Sequence, residues 1–150
     1  MRKLCARSIL LFSSVFFVKV SSAQYRVDSS AIVTLIANDY KTVANSDTLQ
    51  HRRNCTYDYK LVEEGEIWNM EQEMSYIKEK SATRQTRSNA FTINSVTINS
   101  ATAYAVYFLR SRITQRDGSS KNYHWLETAI LRKVGNQWKI ALIHSTKMPE

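Results

Sequence analysis

Between residues 28 and 44 apolar side chains recur at helical spacing, with Ile32, Ile36, Tyr40 and Val43 on one stripe flanked by Val33 and Ala37. The pattern predicts an amphipathic helix of about four turns. Asp28 or Ser29 is expected to accept from the free amides at its start, and Asn45 to take the left-handed conformation at its end. The next stretch, SDTLQHRR, reads as a short helix capped by Ser46 or Asp47, with Arg52 and Arg53 at the negative end of its dipole. CTYDYKLV then alternates as a strand does, and a turn at Glu64 and Gly65 leads to a brief strand over 66–68. Asn69 and Gln72 have capping-box spacing for a third helix, on which Met70, Met74 and Ile77 share a face.

Beyond Lys80 the period changes to two. Alternating segments at 90–99, 102–116 and 121–134, and a closing strand from 137, are separated by NSA, DGSS and GN, short turn formers that make neighbours antiparallel. Helices first and a meander afterwards define an α+β fold. Strands this long must twist, bulge or curl, so a strongly curled antiparallel sheet is expected. In TAYAVYFL both faces are apolar; the helices can cover one, and a second copy of the chain is the expected cover for the other. On the closing strand Trp138, Ile140, Leu142 and His144 fall on one side, so His144 is expected to continue the face that Trp138 begins.

Composition changes the picture at the start of the chain. A basic opening at Arg2, Lys3 and Arg7, an apolar middle over 9–18 and small residues before Gln24 form an export signal with cleavage after Ala23, leaving one domain over 24–150. The apolar run is too short to span a bilayer. Of the formal charge of +8, four units leave with that signal, and the remaining +4 is spread rather than concentrated, which argues against a nucleic-acid partner. Acids dominate 58–79 and bases 80–139, so a basic mouth selecting an anionic ligand is one reading and a solvated surface the other. Only Cys55 survives cleavage, so no internal disulfide forms, and it reads as a small buried apolar residue. Asn54 begins a formal glycosylation sequon. No second His stands at metal spacing to His144, His51 is expected at a basic exposed helix end and His124 at the opening of a long strand, and no phosphate loop or nucleophile elbow is present, so neither metal nor cofactor is expected.

The order of elements, together with the ending LRKVGNQWKIALIHST, resembles the nuclear transport factor 2-like superfamily, closest to its SnoaL-like branch of small stand-alone domains, over residues 28–146. The resemblance implies a cystatin-like cone in which the sheet wraps the long helix, a pocket between them, and dimerisation through the sheet's outer face. Relatives include ketosteroid isomerases, dehydratases and polyketide cyclases beside binding and assembly domains, so fold alone names no activity. In the isomerases the pocket holds a tyrosine on the first helix, which Tyr40 matches. It also holds a carboxylate base before the turn, where this chain has Val62 and where Glu63 is expected to point the other way. A later protonated acid falls nearest Glu127 or Thr128.

The residues expected around the pocket are Tyr40, Tyr57, Tyr59, Trp68, Glu127 and His144, and the candidates for proton transfer are Asp58, Glu127, His144 and Tyr40. Tyr57 and Tyr59 share one face of their strand and Asp58 takes the other, so the three cannot all look inward. A buried Glu127 would need a partner such as Arg110, Arg132 or His144. These residues suit an exported, homodimeric domain that binds a small, partly apolar molecule. The alternatives are a cofactor-free isomerase, dehydratase or cyclase and a non-catalytic protein-interaction or assembly domain.

Overall fold

The computed structural model describes residues 22–83 and 85–149, so the expected export signal over residues 1–23 lies outside the described residues except for Ser22 and Ala23. Helix α1 spans Ser22–Ala44, α2 Thr48–Asn54 and α3 Met70–Ala82; the strands are β1 Cys55–Glu63, β2 Glu66–Asn69, β3 Thr86–Asn99, β4 Thr102–Thr114, β5 Ser120–Val134 and β6 Gln137–Lys147. Among the described residues no helix is long and apolar enough to cross a membrane.

Helix α1 begins at Ser22, so Asp28 lies within it rather than capping it. The buried stripe is Asp28, Ile32, Ile36, Asp39 and Thr42, polar at both ends and apolar between. The left-handed residue of the following turn is Ser46, with φ of 58°, and not Asn45. Asp47 caps α2 by accepting from the Gln50 amide at 3.0 Å. The tight turn between β1 and β2 falls at Glu64 and Gly65, both at positive φ, and Asn69 with Gln72 closes the capping box of α3.

All strands join one six-stranded sheet in the order β2-β1-β6-β5-β4-β3. Four hairpin-type pairings are antiparallel, but β1 runs parallel to β6, so the sheet is mixed and not purely antiparallel as expected. Parallel neighbours need a crossover, and everything from β2 to β5 supplies it. Only adjacent hairpins are readable from short turns, which is why this pairing was not.

The inner face of the sheet packs on α1: Ile32 and Ile36 meet Ala103, Ala105, Tyr107, Ala129, Leu131, Ile140 and Ile143 in one core. Two register shifts bear on the site. Ile93 pairs with Tyr107 but Ser95 with Val106, and Leu131 pairs with Ile140 but Ile130 with Leu142. Ala141 is thus an extra residue on β6, and one extra residue sends every later side chain to the opposite face. Trp138 and Ile140 are buried inward, but beyond the bulge Ile143 and Ser145 turn inward while His144 is exposed outward. The expectation that His144 continues the Trp138 face is corrected by this bulge.

Candidate functional site

The site follows from register. Tyr107 of β4 pairs with Glu127 of β5, Glu127 with Ser145 of β6, and Ser145 with Glu63 of β1, so a polar row crosses the inner face of the sheet. Glu63 therefore points into the molecule, opposite to expectation. Above this row lies a cleft of about 540 Å³ whose walls include Tyr40 and Val43 of α1, Glu73, Tyr76 and Ile77 of α3, Leu61, Trp68 and Trp125. That volume falls within the ~300–1,000 Å³ common for small-molecule sites.

Glu127 is the centre of the row. Its side chain accepts from the Tyr40 hydroxyl on one oxygen and from Ser145 Oγ at 3.0 Å on the other. Neither Arg110, Arg132 nor His144 is its hydrogen-bond partner. Burial raises the carboxyl above its ordinary value, partly offset by hydrogen bonds from Tyr40 and Ser145 and by the charge of Arg87. Burial also raises Glu63, and the charges of Glu127 and Glu64 add to it. Burial likewise lifts the hydroxyls of Tyr40 and Tyr107 well above the ordinary phenol, so both remain neutral, and the Tyr40 hydroxyl donates to Glu127.

Arg87 stands at the edge of this group. Its guanidinium lies 5.8 Å from the Tyr40 ring centroid and 5.5 Å from that of Trp125, while Ser111 Oγ and Asn89 Oδ1 accept its protons at 2.9–3.2 Å. Rings and hydroxyl fix a long flexible side chain in one place. Among the described residues the lining carries Asp39, Glu63, Glu64, Glu66, Glu73 and Glu127 against Arg87 and Lys147. The cleft is accordingly not a basic mouth. Arg110, Arg112 and Lys121 instead border a more open hollow across the ends of β3 to β5.

A second polar group stands behind the cleft wall. His51 of α2 lies with Nδ1 at 3.0 and 3.1 Å from the two Asp39 oxygens and Nε2 3.3 Å from Glu73 Oε2, and Asn54 Nδ2 donates to Asp39 Oδ1 at 2.8 Å. Burial works against the charged imidazole, but the bonds to Asp39 and Glu73 override it and raise His51 to about 10. An imidazolium is therefore held between two buried carboxylates.

The other expected site residues lie elsewhere. Tyr57 is 98 % exposed, and Asp58 is a surface residue paired with Arg132, whose guanidinium holds the carboxyl down to about 2. Tyr59 is buried with its ring edge-on to His51 at 5.7 Å, behind the cleft and not in its lining. The structure brings Tyr40, Trp68 and Glu127 together along the cleft, adds Glu63, Arg87, Ser145 and Trp125, and excludes His144.

The pH response of Glu127 gives a direct check. A group whose folded pKa is raised contributes stability that is complete below its unfolded value, near 4.5, and lost as pH rises through the folded value. Glu127→Gln removes that loss, so the variant is expected to gain stability relative to the parent between pH 4.5 and neutrality. Urea unfolding across this range measures it; a constant difference would mean that Glu127 ionises normally.

Solved structures sharing this architecture confirm its class. A conserved protein of Planctomyces limnophilus superposes with a TM-score of 0.76 at 16% identity, covering 82% of this chain and 99% of that one. A ketosteroid isomerase-like protein of Erwinia carotovora atroseptica gives 0.66 at 16% identity, covering 81% and 96%, and a nuclear transport factor 2-like superfamily protein of Salmonella enterica gives 0.68 at 13%, covering 84% and 94%. The chain has the nuclear transport factor 2-like, or cystatin-like, α+β fold. No protein-family model and no curated protein matches the sequence.

Proposed function

We propose that this chain is an exported, homodimeric domain that binds a small, partly apolar molecule in the cleft between α1, α3 and the sheet. The observation that carries the reading is the convergence of Tyr40, Glu127 and Ser145 on the floor of a cleft walled by Leu61, Ile77, Trp68 and Trp125. An apolar enclosure with a few fixed polar groups orients a ligand by one end and holds the rest by area. Because carboxylates outnumber bases in the lining, the ligand is neutral or carries hydrogen-bond donors rather than a net negative charge. The bulges in β3 and β6 support a sheet curled around α1.

Thermal-shift titration with a panel of cyclic ketones, phenols and aromatic amines tests the reading. At least one class is expected to raise the melting temperature, and Leu61→Trp, which fills the cleft, to abolish the shift. A panel with no effect on the parent, or an equal shift in Leu61→Trp, counts against it.

A second reading, proton-transfer catalysis without a cofactor, is favoured by one observation. Glu63 and Glu127 flank Ser145 in a single row, and burial raises both carboxyls above their ordinary value. If a ketone of the panel binds, Glu63→Gln is expected to abolish its enzyme-dependent deuterium exchange while leaving the thermal shift; unchanged exchange would remove this reading.

Dimerisation rests on the outer face, where register aligns Tyr104 with Ile130 and Leu142, and Phe108 with Leu126. Tyr104 is 47% and Ile130 38% exposed, with Phe108, Leu126 and Leu142 half-buried on the same face, which leaves apolar surface open among the described residues. Sedimentation is expected to give a dimer for residues 24–150 and a monomer for Ile130→Glu; a monomeric parent would contradict the assignment. Export is supported by the opening of the chain, where cleavage after Ala23 would remove only the first two residues of α1.

A further inference from the structure

The group behind the cleft contains more than an ion pair. Cys55 is the C-cap of α2 and the first residue of β1, and His51 stands four positions earlier, so imidazole and thiol face the same side of the helix end. The turn at Ser46 and the Asp47 cap fold α2 back along the end of α1, which brings Asp39 to them. A nitrogen, a sulfur and a carboxylate oxygen from three elements then lie within 4.8 Å of one another, on side chains that are 1%, 6% and 1% exposed.

Two further polar side chains surround these three. Metal-bound histidines commonly give their second nitrogen to an outer carboxylate, and Glu73 Oε2 occupies that place at 3.3 Å from Nε2. Asn54 Nδ2 donates to Asp39 Oδ1 at 2.8 Å, orienting that carboxylate. Asp39 and Glu73 also form part of the cleft wall, so the cleft is the open side nearest the group.

We propose that Asp39 Oδ, His51 Nδ1 and Cys55 Sγ form a three-ligand site for a borderline-soft divalent cation, Zn²⁺ first, with its open position toward the cleft. One nitrogen, one thiolate and one carboxylate is a donor set that suits zinc and disfavours magnesium or calcium. Tetrahedral bonds of about 2.0–2.3 Å place ligand atoms roughly 3.5 Å apart, so the widest pair closes by about 1 Å on loading. Binding releases the thiol proton and the proton between His51 and Asp39, exchanging two positive charges for two. The site is independent of which molecule fills the cleft.

The test uses the mature chain, residues 24–150, stripped with a chelator and titrated with Zn²⁺ and, separately, Co²⁺. One equivalent of each is expected to bind, and Co²⁺ to produce a thiolate-to-cobalt charge-transfer band. Cys55→Ser should lose the band and Glu73→Gln should bind Zn²⁺ about 10–100-fold more weakly. No saturable Zn²⁺ binding, a cobalt complex without the band, or undiminished Zn²⁺ affinity in Cys55→Ser would each overturn the site and leave a proton-bridged network. The parent spectrum is decisive by itself should a variant fail to fold.

Discussion

Asp39→Ala is expected to unfold about 3–5 kcal/mol more easily than the parent, the usual loss when one partner of a buried ion pair is removed. Asp39 is 1% exposed and accepts from both His51 and Asn54. Truncation leaves the charged His51 facing a void on one side and Glu73 alone on the other, and it strands the Asn54 amide. A domain of this size has only about 5–15 kcal/mol in total, so one substitution removes a large share of the fold's stability. Urea unfolding at neutral pH, with circular dichroism to confirm a native baseline, measures the effect. Asp39→Asn keeps the volume and an acceptor for Asn54 and is expected to lose less. A loss below about 1 kcal/mol for Asp39→Ala would show that the imidazole is satisfied without its carboxylate.

The second large effect lies at the other end of the same helix stripe. Asp28 accepts from Trp138 Nε1 at 3.0 Å and from Lys133 Nζ at 3.0 and 3.2 Å, tying α1 to the β5–β6 hairpin. Asp28→Ala leaves the largely buried indole N–H without an acceptor, at a loss of about 2–3 kcal/mol. Hydrogen bonds from Trp138, then Lys133 and Gln24, hold the Asp28 carboxyl below its ordinary value. A depressed folded pKa contributes stability that is complete above the unfolded value of 3.8 and disappears as pH falls through the folded one. The gap between parent and Asp28→Ala, wide at pH 7, is therefore expected to narrow in strong acid. A gap that persists unchanged would assign the loss to packing around Trp138 instead of to the carboxylate.

Both aspartates show what the residue pattern conceals. Helical periodicity is read from apolar positions, and Ile32 and Ile36 announce the buried stripe clearly, but Asp28 and Asp39 extend it with residues that ordinarily mark the solvent side. Their spacing from Ile32 and Ile36 was visible; their partners on α2, β5 and β6 were not, because those arise only from tertiary contact. Local signals fared better. The Asn69–Gln72 capping box, the Glu64–Gly65 turn and the hairpin turns follow from residues within a few positions of one another, and the structure contains each of them.

The site itself was half legible. Tyr40 and Glu127 stand out as polar tips on apolar stretches, and a tyrosine on α1 above an acid on β5 is what the fold resemblance implied. The rest depended on bulges. Without Ala141 as an extra residue His144 would lie opposite Glu127; with it, Ser145 does, and His144 joins the outer face. No turn residue or proline marks that bulge, since it sits inside an unbroken apolar strand. Glu63 was misassigned because the resemblance places the family's acid at Val62, whereas here Leu61 and Glu63, on the side of the buried Tyr59, line the cleft. Arg87 lies ahead of the segment whose alternation was readable, and only the extended β3 carries it to Tyr40.

Comparison with relatives narrows fold more than chemistry. At 13–16% identity the shared architecture extends to an isomerase-like protein and, through another solved structure, to an association domain, so the side chains in the cleft must carry the functional argument. In this chain they are a buried acid that accepts from two hydroxyls, a second acid in the same row, and aromatic walls.

The most direct measurement of the central claim is a high-resolution crystal structure of the protein purified from its own host. A bound molecule is predicted in the cleft, with a polar atom within hydrogen-bond distance of Glu127 or Tyr40 and its apolar part against Trp68 and Leu61. Collapse of those side chains into the cleft, leaving no space above the Tyr107–Glu127–Ser145 row, would contradict it.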